Sequence, residues 1–421
     1  MTRTIAQIAA LLASGTVLCS SSRADRRPTY NREVSRILLE HCVGCHHNRG
    51  VGPFPLTTYT EASAFAREIR RATQTRKMPP WAAVSGYGEF QNQRLLTVGE
   101  IKTLGEWFDK GVQEGEAGDL PAKYSADSVS KWAYGTPDLI LTPRSPYSVA
   151  SSGGEDVHCF AIPSGLLESK AIRAMDVQPG DPSVVYHVRA FADTTVTAHG
   201  RNAQNSGSGF DCTSSMESLF TRTLLGEWEA GFVFPPLTDG IARLLPKGAD
   251  VIVEIHYHRT YKAVLDQTSV GFYFQREPVR QYVKTTSIVN HNIDIPAGES
   301  DYVATAEWTP DRDIVALAIS PHMHLLGTVM RIKASFPEGQ EPDLVWVNEY
   351  DFYWQTSYVF RQPVRIPRGT MLKVEAHYDD SHQNLNLAPD APLRGMKWGT
   401  SLKDEMLVAF LDYVEVGAQE R

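Results

Sequence analysis

Two hydrophobic periods divide the chain. Three segments, Asn31 to His41, Glu61 to Thr73 and Val98 to Lys110, carry apolar residues at helical spacing and predict helices that each bury one face. Thr97 followed by Glu100 gives the third a capping-box start, and Gly111 stands just past its end. From about residue 138 that period vanishes, and short β-rich runs alternate with Pro- and Gly-containing turns to the end, as in sandwiches and jelly rolls. The stretch between, residues 116–137, is polar and rich in Gly, Ala, Ser and Pro and reads as a linker. The expected fold is multidomain: a small all-α domain over residues 25–115, then all-β antiparallel sandwich domains over 138–280 and 281–421.

The division of the β region rests on an internal repeat. Ile162-Pro163-Ser164-Gly165, Leu245-Pro246-Lys247-Gly248, Ile295-Pro296-Ala297-Gly298 and Ile366-Pro367-Arg368-Gly369 recur in order. The second and fourth lead into nearly the same strand, Val253-Glu254-Ile255-His256-Tyr257 and Val374-Glu375-Ala376-His377-Tyr378. Shared order and spacing point to two similar sandwiches in tandem.

Composition sets the compartment and excludes some partners. The chain has 421 residues, 42% of them hydrophobic, enough for two or three packed domains. A basic start, an apolar segment from Ile5 to Leu18 and the small polar run Cys19 to Ala24 form a secretory signal over residues 1–24, too short to span a bilayer. Periplasmic or secreted localisation follows. A lipoprotein reading through Cys19 stands second, because Leu18 is large where lipid attachment expects a small residue. A net charge of −8 argues against nucleic acid as a partner, and no other stretch is apolar enough for a membrane span. Five cysteines are present; with Cys19 in the signal and Cys42 and Cys45 in the motif below, Cys159 and Cys212 remain for a disulfide, typically stabilising by ~2–4 kcal/mol.

Cys42-Val43-Gly44-Cys45-His46 is the pattern for covalent attachment of one haem c: two thioethers to the porphyrin and an adjacent axial His. A zinc reading lacks a second nearby Cys pair. Between Asp25 and Trp132 the only methionine is Met78, followed by Pro79-Pro80, so Met78 is the expected second axial ligand on a stiff loop. His41 and His47 compete but sit too close to the motif to cross the haem face. Residues 25–115 resemble class I cytochrome c, which implies one-electron transfer.

The β region offers histidines at matching places. Ser320-Pro321-His322-Met323-His324 continues an apolar strand run, and residues two apart share a strand face, so His322 and His324 point one way and Met323 the other. Such a pair suits copper or zinc, and equally two buried, hydrogen-bonded histidines. The first sandwich offers His187, then His256 and His258 on one face; Met406 stands at the mouth of the last strand, and His plus thioether favours copper(I).

Residues 135–421 resemble the copper type II, ascorbate-dependent monooxygenases, the family of peptidylglycine α-hydroxylating monooxygenase and dopamine β-monooxygenase. The resemblance implies two coppers on two sandwiches: an oxygen-activating copper at His322, His324 and Met406, and an electron-storing copper at His187 and His256. Two departures stand out. The first His of the family's adjacent pair is Tyr186 here, so His258 replaces it or the second copper is weak or missing; and the positions that grip a peptide carboxylate are Ser320 and Phe410, which argues against glycine-extended peptides.

The expected activity is a copper-dependent monooxygenation of a C–H bond in a small organic substrate with O2. Electrons enter through the fused cytochrome from an ascorbate-like reductant or a periplasmic redox protein. The alternative is a non-catalytic periplasmic electron-transfer or copper-binding protein on the same fold. His158, His199, His291, His377 and His382 are expected to be structural.

Overall fold

The computed structural model describes residues 27–48, 50–121, 132–152, 156–195, 197–204, 208–212, 222–258, 260, 262–384, 386–387, 392–401 and 403–417. The signal segment, residues 1–24, and residues 122–131 of the polar linker lie outside them.

Four helices build the N-terminal unit: α1 (Ser35–His41), α2 (Tyr59–Ala64), α3 (Ala66–Gln74) and α4 (Val98–Asp109). Their apolar faces meet around Tyr30, Leu38, Leu104 and Trp107, all buried. The capping box forms at α4, with the Thr97 N–H donating to Glu100 Oε2 at 2.7 Å and the Glu100 N–H to Thr97 Oγ1 at 3.1 Å. The single helix expected over Glu61 to Thr73 is instead two. The break is at Phe65, whose ring stacks on Phe54 with centroids 3.8 Å apart.

The β region forms two sandwiches, as the strand pattern requires. In the first, the strands Phe210–Asp211, Asp156–Pro163, Asp250–Tyr257, Val185–Asp193 and Thr223–Glu229 lie side by side in that order. They cover a second five-stranded sheet centred on Lys170–Gln178, and Phe160, Val188, Val253, Ile172 and Phe272 fill the space between. The second sandwich packs the sheet Lys284–Val289, Val408–Glu415, Ile314–His322, Tyr358–Ile366 on the sheet Tyr302–Trp308, Met371–Tyr378, Gly327–Ser335, Asp343–Val347. All four turn glycines of the repeat, Gly165, Gly248, Gly298 and Gly369, have φ between 66° and 83°, a left-handed conformation that side chains resist. Cys159 and Cys212 form the disulfide, set in a small apolar cluster on the outer face of the first sandwich.

The helical unit does not close on itself at residue 115. Residues 81–92 leave it and run across the second sandwich as a strap. Trp81, Ala83 and Phe90 join its core; Val84 N–H donates to Trp346 O at 2.8 Å and Gln91 N–H to Val359 O at 2.9 Å. The strap thereby covers the outermost strands of both sheets, Asp343–Val347 and Tyr358–Ile366, whose backbone edges would otherwise face water.

Candidate metal centres

In the last strand of the second sandwich, Leu407, Ala409 and Leu411 enter the core while Met406, Val408 and Phe410 form a separate buried cluster on the opposite face. His322 lies directly across from Val408, at the end of its own strand. Both strands end there, and beyond them His324 bonds to Asp404 and Glu405, the two residues before Met406. Met323 turns into the core, where its N–H donates to the Tyr350 hydroxyl at 3.0 Å. The two imidazoles stand with centroids 5.4 Å apart.

Each ring is oriented by its Nδ1. That of His322 lies 2.7 Å from Gln355 Oε1 and that of His324 lies 2.9 Å from the Asp404 carbonyl, so Nδ1–H donates and Nε2 keeps its lone pair. His322 Nε2 is buried without a partner. Such an orphan is costly unless something binds it. Burial, with the neighbouring ring, holds His322 well below the usual imidazole range, and burial lowers His324 to about 4, so both are neutral and ready to ligate. Beneath them the Glu405 carboxylate accepts the N–H groups of His324, of Leu326 at 2.9 Å and of Met406 at 2.8 Å, fixing both segments to one point.

The first sandwich presents a second pair. In Asp250–Tyr257 the residues Val251, Val253, Ile255 and Tyr257 fill the core and leave Ile252, Glu254 and His256 on the outer face; in Val185–Asp193 the matching outer residues are His187, Arg189 and Phe191. His187 and His256 are cross-strand neighbours with ring centroids 5.0 Å apart, and Nδ1 of each is buried without a partner. Burial, His256 and Arg189 keep His187 well below the usual range. His258 lies exposed beyond the strand end, where its backbone N–H donates to Val184 O, so it stands apart from this buried pair. Tyr186 is buried, its ring edge-on to His256 at 5.9 Å.

The two outer faces look at each other. Arg189 donates to Glu254 Oε1 from Nε and Nη2 at 2.9 and 2.7 Å, Glu254 in turn meets His256 Nε2 at 2.9 Å, and the guanidinium lies 5.7 Å from the Phe410 ring centroid. Phe410 stands 6.2 Å from His322. A continuous chain of contacts therefore joins the histidine pairs across the seam, which Arg243 reinforces by bonding to Asp412.

Cys42, Cys45 and His46 occupy the turn after α1. His46 Nδ1 lies 2.9 Å from the Phe54 carbonyl, which leaves Nε2 for a metal, and a Cβ on Gly52 would fall 2.7 Å from the ring. A cavity of about 560 Å³ opens beside the loop, between Gly44, Val51 and the first-sandwich residues Trp228 and Phe232. Two free thiols, an oriented imidazole and adjacent space fit a covalently held haem. Met78 lies half-buried after α3, its N–H on Ala72 O at 3.2 Å, three residues before the strap.

Residues 283–420 match the copper type II ascorbate-dependent monooxygenase C-terminal domain. That match covers the second sandwich with His322, His324 and Met406. Over a longer stretch the chain is 26% identical to DBH-like monooxygenase protein 1 of Gallus gallus, across 222 residues that make up 47% of this chain and 34% of that protein. The chain thus spans about a third of that relative's length. Among solved structures, those of infectious bursal disease virus, Gx strain and Gt strain, align at 10% and 9% identity, covering 66% and 71% of this chain and 72% and 75% of theirs; TM-scores of 0.19 and 0.20 carry no argument. The copper monooxygenase C-terminal domain match extends over 138 of the 421 residues, about a third of the chain. No described helix is long and apolar enough to cross a membrane.

Several residues that contact the histidine pairs carry no assignment in the sequence. Arg189 and Glu254 were detectable in principle, as charges two residues from a histidine inside otherwise apolar strands. Gln355 was not, since 33 residues separate it from the ring it orients.

Proposed function

We propose that the chain is an exported haem- and copper-containing monooxygenase that hydroxylates a C–H bond of a small organic substrate with O2. The observation that carries the reading is the His322–His324 pair: both rings held by Nδ1, both neutral, His322 Nε2 orphaned, with buried Met406 clustered beside Val408, the register partner of His322. His322, His324 and Met406 would hold one copper, His187 and His256 a second, and Cys42, Cys45, His46 and Met78 one haem c. Copper supplies the one-electron chemistry that couples O2 to hydroxylation.

The chain's own residues do the rest. Gln355 and the Asp404 carbonyl aim the imidazoles, Glu405 fixes the loop that carries His324, and Val408 and Phe410 keep water from the rings. Burial keeps the His322 and His324 imidazoles neutral, with Nε2 unprotonated, so ligation through Nε2 costs no deprotonation at neutral pH. At the positions where the related peptide enzymes grip a carboxylate, Ser320 spends its hydroxyl on Ser357 Oγ at 2.6 Å and Phe410 offers only a ring. An uncharged substrate suits these two residues better than a glycine-extended peptide.

A non-catalytic electron carrier is the second reading, favoured by the direct contact between the Cys45 loop and the first sandwich. Copper and iron per chain, copper EPR and oxygen uptake with product analysis separate the two. Met406→Ile is expected to abolish turnover while leaving the haem spectrum intact; unchanged turnover would overturn the copper assignment.

A further inference from the structure

We propose that the haem-attachment loop feeds electrons into the His187–His256 pair through Cys45, Ala230 and Tyr186. The inference rests on the haem and copper assignments above and adds which pair receives the electron, and by which atoms. Cys45 Sγ lies 3.3 Å from the Ala230 carbonyl oxygen. The Ala230 N–H donates to the Tyr186 carbonyl at 2.9 Å. Tyr186 is covalently joined to His187, and its buried ring meets His256 edge-on at 5.9 Å. From the sulfur that would carry the haem to the His187 imidazole, the route crosses one sulfur–oxygen contact and one hydrogen bond and otherwise follows covalent bonds; His256 is one further ring contact away.

The approach is built for contact. A Cβ on Gly231 would fall 2.0 Å from Cys45 Sγ, and one on Gly44 would fall 2.8 Å from the Gly231 carbonyl oxygen, so the two loops meet only because both residues are glycine. Gly231 also sits at φ 72°, where a side chain is strained. Arg94, from the helical unit, pins the same turn: it bonds to Glu229, the register partner of His187, and its guanidinium lies 3.9 Å over the Phe232 ring. The electron balance is simple. Ferrous haem becomes ferric, cupric copper at the pair becomes cuprous, and no bond forms or breaks.

Anaerobic pulse radiolysis of the full chain, matured with haem and loaded with copper, tests the route by following decay of the reduced haem band after rapid reduction. A concentration-independent decay is expected. Gly44→Ala, which forces the Gly231 carbonyl away from the loop, should slow it severalfold while haem content and the copper EPR signal stay unchanged. Arg94→Gln, which frees Glu229 without altering the loop, should slow it less. His187→Ala with His256→Ala should abolish the decay, and His322→Ala should leave it. An unchanged rate in both Gly44→Ala and Arg94→Gln would overturn the route, as would a decay that survives loss of His187 and His256 and disappears with His322. Lack of covalent haem, or of an EPR signal from the first pair, would show in the spectra before any rate is measured and would sink the underlying assignments instead.

Discussion

The strands Asp250–Tyr257 and Met371–Tyr378 contain nearly the same five residues, Val-Glu-Ile-His-Tyr and Val-Glu-Ala-His-Tyr, yet only the first builds a candidate metal centre. In both, the Val and Tyr point into a sandwich core, and the Tyr hydroxyl finds a buried acceptor: Tyr257 donates to Asp266 at 2.9 Å and Tyr378 to the Met406 carbonyl at 2.8 Å. The difference is on the other face. Every residue of the first strand is buried, because the disulfide cluster covers Ile252, Arg189 covers Glu254, and His187 closes over His256. In the second strand burial alternates, Glu375 and His377 face outward, and His377 has Asp301 at 2.7 Å from its Nδ1. A histidine becomes a ligand when its surroundings strip it of water and of other partners; the strand sequence alone does not decide that.

The contrast can be broken most sharply at the histidines. His256→Ala should remove one of two coppers per chain, read by metal analysis and EPR, and His377→Ala should remove none. At the glutamates the expected effect is on stability. Glu254→Ala leaves the Arg189 charge buried and unpaired, a loss of about 3–5 kcal/mol, whereas Glu375→Ala at the exposed face should stay within about 1 kcal/mol, both measured by urea denaturation. Removing the cover itself, with Cys159→Ala and Cys212→Ala together, should cost ~2–4 kcal/mol, with hydrogen exchange rising in the first sandwich and not in the second.

One further effect depends on pH. Burial pushes Glu227, across from Arg189, up to about 7. Its folded form therefore keeps a proton that the unfolded chain has released, and stability falls as pH rises from about 4.5 to about 7. Glu227→Gln should flatten that fall by on the order of 2–3 kcal/mol, seen as urea midpoints that converge between the two pH values.

What could be read from sequence divides along physical lines. The change from helical to strand period, the α4 capping box, the turn glycines, the disulfide and the shared face of His322 and His324 are local or pairwise patterns, and each is set by a few neighbouring residues. The strap at residues 81–92 was illegible because its partners, Trp346, Val359 and Phe360, are strand-edge groups that any extended segment could satisfy. His258 shows the limit of period-two reasoning: the rule places it with His256, but the strand ends at Tyr257 and His258 lies exposed beyond it. The pairing of His187 with His256 depends on a bulge between Val185 and His187, which shifts the register by one and is invisible in the spacing.

The strap also fixes an order of events. Asn92 donates to Ser357 O at 2.6 Å and accepts from the Val359 N–H at 3.0 Å, contacts that span 265 and 267 residues of chain. Contacts of such high order form late, so the early-made helices must wait for the last third of the polypeptide before residues 81–92 can dock. The strap is thus a late seal: it cannot close until Trp346, Ser357 and Val359 have all been made.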